Sequence, residues 1–262
     1  MSIEDIRRRD FLALTLAVLL APARLSAEPA VRRNTYEVDI GILYHMLTFH
    51  LEGSFDERVD RGAGRYEVRG AGQGSGIANR LESSGVLRNG RWAPVRGAFW
   101  FTLHGRESQT QIAYDYDGRR IEYHARGETF FLRRVRVVDD ILTIPEGLHV
   151  DDAISASLNY RDGRWTPDAQ GRLRTHIVRR RRSENEGPDD VARGYRGEVV
   201  PLDLTVTADP ESRAPAALVD FSRFTSWARQ NRPARVVFDD ERRPTLITGS
   251  MILGSSVAIR LG

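Results

Sequence analysis

The sequence predicts a mainly β protein, an antiparallel β-barrel or β-sandwich-like body with one or two short helices. Three observations predict it. Apolar and polar residues alternate with period two along much of the chain, which is the pattern of half-buried strands. Two turn dipeptides, Asp117-Gly118 and Gly254-Ser255, sit between such alternating runs. Glycine and aspartate punctuate the rest at short intervals, as they do where many short strands follow one another.

The elements follow in chain order. Tyr36, Val38 and Ile40 alternate with polar residues, and Leu47 and Phe49 continue the pattern beyond Gly41. Further strands are expected over 64–70, 78–88 and 96–104. Ile112, Tyr114 and Tyr116 lead into a two-residue turn at Asp117-Gly118, and Ile121 and Tyr123 lead out of it; this is the strongest hairpin signal in the chain. Strands are also expected over 128–137, 172–180 and 194–207. The C-terminus reads as another hairpin, Leu246–Leu253 returning through Gly254-Ser255 to Val257, Ile259 and Leu261. Asp151 or Asp152 can cap a short helix carrying Ala153, Ile154, Leu158 and Tyr160. Asp220 can cap a second, with Phe221, Phe224 and Trp227 at three-residue steps, spaced to pack in a core. Between them, Arg179–Arg182 followed by acids and Gly187-Pro188 read as a solvated loop over 179–193. No internal repeat and no linker divides the chain, so residues 28–262 form a single β-rich domain.

Residues 1–27 read as a cleavable export signal. Arg7, Arg8 and Arg9 precede an apolar run from Phe11 to Ala21, about eleven residues, where a bilayer span needs roughly twenty. Leu25-Ser26-Ala27 offers a small-residue cleavage site after Ala27. Arg8-Arg9-Asp10-Phe11-Leu12 resembles the core of twin-arginine signals, with the general secretory route as the competing reading. The expected partner during export is the matching translocase, the expected compartment is the periplasm, and no membrane span is expected in the remaining chain.

Composition excludes several functions. The 262 residues contain no cysteine, which removes disulfides, thiolate metal sites and cysteine nucleophiles. The 39 basic residues are all arginine, but 36 acids nearly balance them, leaving a net charge of +3. That is too little for a polyanion field, and no nucleic-acid-binding signature is present. The six histidines, His45, His50, His104, His124, His149 and His176, show no i, i+4 metal spacing, so no metal or other cofactor is expected. Asp139-Asp140, Asp151-Asp152, Asp189-Asp190 and Asp239-Asp240-Glu241 are explained by turn and cap chemistry. Gly70–Gly76 lacks the Lys-Ser/Thr of a phosphate loop and reads as a flexible hairpin connection.

Tyr36-Glu37-Val38 with Gly41, His149-Val150-Asp151-Asp152-Ala153, and Phe238-Asp239-Asp240-Glu241-Arg242-Arg243-Pro244 with Gly254 together resemble the periplasmic domain-of-unknown-function family 3108. The resemblance spans most of 35–262 and departs at 183–193 and 219–230. It implies an exported, β-rich, partly barrel-like domain and no catalytic residue. Two functional readings follow. One is a noncatalytic binding or envelope-maintenance protein holding a lipid or other small amphipathic ligand, with Phe49, Trp100, Tyr114, Tyr116 and Tyr123 as lining candidates. The alternative is a hydrolase of an envelope or imported polymer, working through His104, His124 or Asp151.

Overall fold

A computed structural model describes residues 30–262 apart from 130, 184–185, 188, 222–227, 230–231 and 253. The export-signal residues, including Arg8, Arg9, Phe11, Leu12 and Ala27, lie outside the described residues, as do Phe224 and Trp227 of the helix expected after Asp220.

The protein is mainly antiparallel β, barrel-like but not closed. Eight strands run as a meander: β1 (Ala30–Ile42), β2 (Leu47–Asp60), β3 (Arg65–Gly74), β4 (Ile77–Arg88), β5 (Arg91–Leu103), β6 (Arg106–Asp115), β7 (Arg120–Glu128) and β8 (Val135–Thr143). A short β9 (Val150–Asp151) leads into helix α1 (Ala153–Arg161). Then come β10 (Leu173–Arg180), β11 (Gly197–Leu204), β12 (Val206–Ala208), β13 (Pro215–Val219), β14 (Ala234–Phe238), β15 (Pro244–Ser250) and β16 (Ser256–Leu261). β16 pairs with β1, so the first and last strands meet in the middle of a 13-stranded sheet whose edges are β12 and β8. The remaining sheet, ordered β11-β10-β9, bridges those edges. The Gly197 amide donates to Asp140 Oδ2 of β8 at 2.9 Å, Val138 bridges to Tyr195, and β11 runs directly on into β12. No helix among the described residues is long and apolar enough to cross a membrane.

Several sequence expectations are corrected. Gly70, Gly72 and Gly74 are not in a loop but in β3, paired on both sides, with Gly72 opposite Gly53 on β2 and Asn79 on β4. The bare backbone makes room for Tyr36: a Cβ on Gly72 would lie 2.7 Å from the Tyr36 hydroxyl, and one on Gly53 would strike the same ring. An aromatic ring laid over strand glycines restores the packing that glycine forgoes. The hairpin at Asp117-Gly118 turns through four residues, because Asp115 is opposite Arg120. There Asp115 Oδ1 accepts from the Gly118 amide at 2.8 Å, and Arg119 takes the left-handed conformation (φ 52°).

The strand expected over 128–137 is broken. β7 stops at Glu128 and β8 starts at Val135. Asp189, from a distant loop, accepts from the Phe131 and Leu132 amides at 3.1 and 2.8 Å and so holds a turn that local alternation does not announce. Asp139 and Asp140, expected at a turn, sit within β8: Asp139 faces outward to His124 at 2.8 Å, and Asp140 reaches across to β11. The expected strand over 194–207 is split into β11 and β12, which belong to different sheets. Arg179 and Arg180 lie in β10 rather than in a solvated loop, and the Glu186 side chain between Arg136 and Arg180 is only 4% exposed.

Candidate functional site

Helix α1 organises the interior. Its start is dictated locally: Asp152 Oδ1 accepts from the Ser155 amide at 2.7 Å while Ser155 Oγ accepts from the Asp152 amide at 3.0 Å, a reciprocal capping box. A surface helix hides one stripe; this one is used on every side. Ala156 and Tyr160 pack on Trp165, Val219 and Phe238. Ile154 and Leu158 pack on Val59, Tyr66, Val68 and Trp92. Ser155 and Asn159 face a buried polar knot. Ser157 and Arg161 face a cavity, where Arg161 Nη1 donates to Glu57 at 2.6 Å. Each pair is spaced i, i+4, so it shares one face of the helix.

The knot is centred on Asp151, whose exposure is 0%. Oδ1 accepts from Ser155 Oγ at 2.7 Å, Asn159 Nδ2 at 2.9 Å and His149 Nε2 at 3.1 Å. Oδ2 accepts from Arg91 Nη2 at 3.1 Å and from Thr175 Oγ1. His149 Nε2 also meets the Trp92 carbonyl at 3.0 Å, so this nitrogen carries the hydrogen. Asn159 closes the knot by accepting from the Trp92 amide and donating to the Trp92 carbonyl, at 2.7 and 2.8 Å. These bonds pin α1 to β5, β9 and β10. A buried charge is tolerated when its lone pairs are filled in this way. They also leave Asp151 without a free acceptor site for proton transfer.

Asp152 behaves differently. Ser83 Oγ donates to its Oδ2 at 2.6 Å, and Ser83 in turn meets the Tyr66 hydroxyl at 3.1 Å. Exclusion of water from the Asp152 carboxyl raises its pKa, against the lowering by the Ser155 amide and the Ser83 hydroxyl. The folded protein therefore keeps the Asp152 proton at pH values where the unfolded chain has lost it. The stability from that proton is full below the ordinary aspartate value and is lost as pH rises through the raised one. Asp162, Asp168 and Asp209 are shifted down and act oppositely. Asp152→Asn is thus expected to narrow its stability deficit against the parent, or reverse it, on going from acid to neutral pH. Paired denaturation curves at several pH values check this; a difference that does not depend on pH contradicts it.

Two cavities flank α1. The first, about 300 Å³, lies between the helix and β1–β5, β15 and β16. Its walls are mainly apolar: Val38, Phe55, Val68, Leu81, Phe99 and Ile259. Tyr36 also lines it and donates its hydroxyl to Asn79 Oδ1 at 2.6 Å. Charged groups, Arg32, Asp239, Arg243 and the Glu57–Arg161 pair, lie among the lining residues. The second cavity, about 640 Å³, lies between the helix start and β6–β8 and β10. Phe99 and Ala153 line both and so form the partition; Phe99 is 40% exposed, unusual for an inward-facing aromatic.

Of the residues singled out in the sequence, Tyr114 and Tyr123 line the second cavity. Tyr114 is 5% exposed, its hydroxyl has no hydrogen-bond partner among the described residues, and burial pushes its pKa well up, so it stays a phenol. Tyr116 lies elsewhere, donating to the Val150 carbonyl and stacking on His149 at 6.0 Å. Phe49 is packed in the cluster of Val38, Ile42, Leu51 and Ile77, with His104 edge-on at 5.9 Å. Trp100 is on the face opposite Phe99 and Phe101, under the Arg80 guanidinium at 5.0 Å. His104 sits in the β5–β6 turn and His124 on the outer face of β7, and no contact joins them. Among the described residues no group of three or more His, Cys, Asp or Glu is arranged to hold a metal ion. Phe55, Leu81 and Phe99 were not singled out in the sequence, and Ile259 only as a residue of the closing hairpin. Their signal was strand parity, since each faces the side of the sheet that Tyr36 faces, but the parity of a strand does not say which face encloses a cavity.

No family model matches the chain, and no curated protein is similar to it. Among solved structures it is similar to a beta-barrel-like protein of domain of unknown function DUF1849 from Brucella abortus, at 11% identity and a TM-score of 0.36, over 89% of this chain and 98% of that one.

Proposed function

We propose that this is an exported periplasmic protein that binds one small apolar or amphipathic molecule, lipid-like in character, inside its curled sheet, in a noncatalytic envelope-maintenance role. One observation carries the binding reading: an apolar cavity of about 300 Å³ against the central helix, with charged groups among its lining. That volume is at the lower end of the range for small-molecule sites, enough for a single chain rather than a bulky multi-chain lipid. The twin-arginine-like Arg8-Arg9-Asp10-Phe11-Leu12 and the resemblance to family 3108 support export and the periplasm.

Mass spectrometry of the protein purified from its native source tests the reading, with a co-purifying amphiphile as the expected result. Phe99→Asp sets a charge into the partition and is expected to weaken binding of a fluorescent fatty acid by more than tenfold. The denaturation midpoint should change little, because Phe99 is already part-exposed. Material that carries no small molecule and binds no fatty acid rules the proposal out.

A further inference from the structure

A third concavity, about 360 Å³, shares no lining residue with the apolar cavity and is of opposite character. Three connections build it: the strand ends flanking the β4–β5 turn supply Arg88 and Arg91, the β6–β7 loop supplies Tyr116 and Arg119, and the segment before β9 supplies His149. Tyr116 forms a rigid wall, with Arg88 over one face at 5.7 Å and His149 stacked on it.

Each arginine has an acidic neighbour, yet none is consumed by it. Arg88 pairs with Asp117 at 2.7 Å and Arg119 approaches Glu146 at 3.6 Å, but those acids are 85% and 91% exposed. Pairs so open to water hold weakly and are readily exchanged. Arg91 gives one Nη to Asp151 and Thr175, while its buried Nε has no acceptor among the described residues. Asp151, taken up by five donors, has no acceptor capacity left to offer.

Three guanidiniums from two connections exceed what one carboxylate can engage. They match a group with close to two negative charges and three acceptor oxygens, which guanidinium binds bidentately. We propose that this cleft is a binding site for a phosphoryl group, carried by a soluble phosphate or by a lipid headgroup. It is independent of the apolar cavity's role.

The test uses the full-length protein and two substitutions, Arg88→Gln at the end of β4 and Arg119→Gln in the β6–β7 loop. Titration calorimetry with inorganic phosphate and co-sedimentation with phosphatidylcholine vesicles, with and without phosphatidic acid, are run in parallel. Binding that weakens by about tenfold or more in either variant, at an unchanged denaturation midpoint, supports the site. Calorimetric binding of phosphate identifies a soluble source; sedimentation that requires phosphatidic acid, without phosphate binding, identifies a headgroup. No binding in either assay, or binding indifferent to both substitutions, overturns the proposal.

Discussion

Asp151→Ala is expected to lower stability by about 3–5 kcal/mol, the cost of removing one member of a buried charge pair. The loss goes beyond the Arg91 contact at 3.1 Å. Removing the carboxylate strands the hydroxyls of Ser155 and Thr175 and the Asn159 amide in a site that water does not reach, and takes an acceptor from the part-exposed His149. Each unsatisfied buried donor costs roughly 1–3 kcal/mol, partly recovered by local repacking. Because a domain has only about 5–15 kcal/mol in hand, the variant approaches unfolding at physiological temperature. Asp151→Asn is expected to be milder but still destabilising, since its NH₂ group confronts donors on one side. Urea denaturation monitored by tryptophan fluorescence measures both. A midpoint for Asp151→Ala within experimental error of the parent would show that the knot does not hold α1 in place.

Trp92→Ala is expected to cost about 3–5 kcal/mol, the range for deleting a buried large aromatic. Trp92 is among the largest fully buried side chains and lies edge-on to Tyr66 at 5.9 Å, within the cluster that receives Leu158 of α1. Its Nε1 donates to Asp162 at the C-terminus of the helix at 2.9 Å, while its backbone amide and carbonyl hold Asn159. Trp92→Phe keeps most of the packing and loses the indole bond, so a loss of about 1–3 kcal/mol is expected. Asp151 and Trp92 meet through Asn159 and His149, so their effects should not add. The double variant is expected to lose less than the sum of the single losses, a coupling of about 0.5–3 kcal/mol. Strict additivity in a double-mutant cycle would show that the two ends of the helix are held independently.

Much of this architecture was legible in the residues. Alternation located β4, β10 and the final hairpin to within a few positions and fell inside β1, β2, β6 and β7 without reaching their far ends, because each strand buries one face and leaves the other wet. Asp151-Asp152 marked the start of α1, and the structure chose Asp152, because a cap is a contact between near neighbours. The misreadings share a cause. Asp189 closing the 129–134 turn, Tyr36 covering Gly53 and Gly72, and Asp140 bridging to β11 are contacts between residues far apart in sequence. The same holds for the site: Tyr114 and Tyr123 were visible as aromatics, but Phe99 and Ile259 could not be told from ordinary core, and Trp100 could not be told from a lining residue.

The sequence by itself determined a β-rich body of antiparallel strands and a helix capped at Asp151 or Asp152, since periodicity, turn chemistry and capping act over a few residues. Only the tertiary structure decided that β16 joins β1, that β9–β11 span the open edges, and that α1 lies inside with a polar knot on one face and cavities on others. Those outcomes depend on which surfaces meet when the sheet curls. Water exclusion and hydrogen-bond satisfaction select that arrangement over the whole chain at once, and no local pattern encodes it.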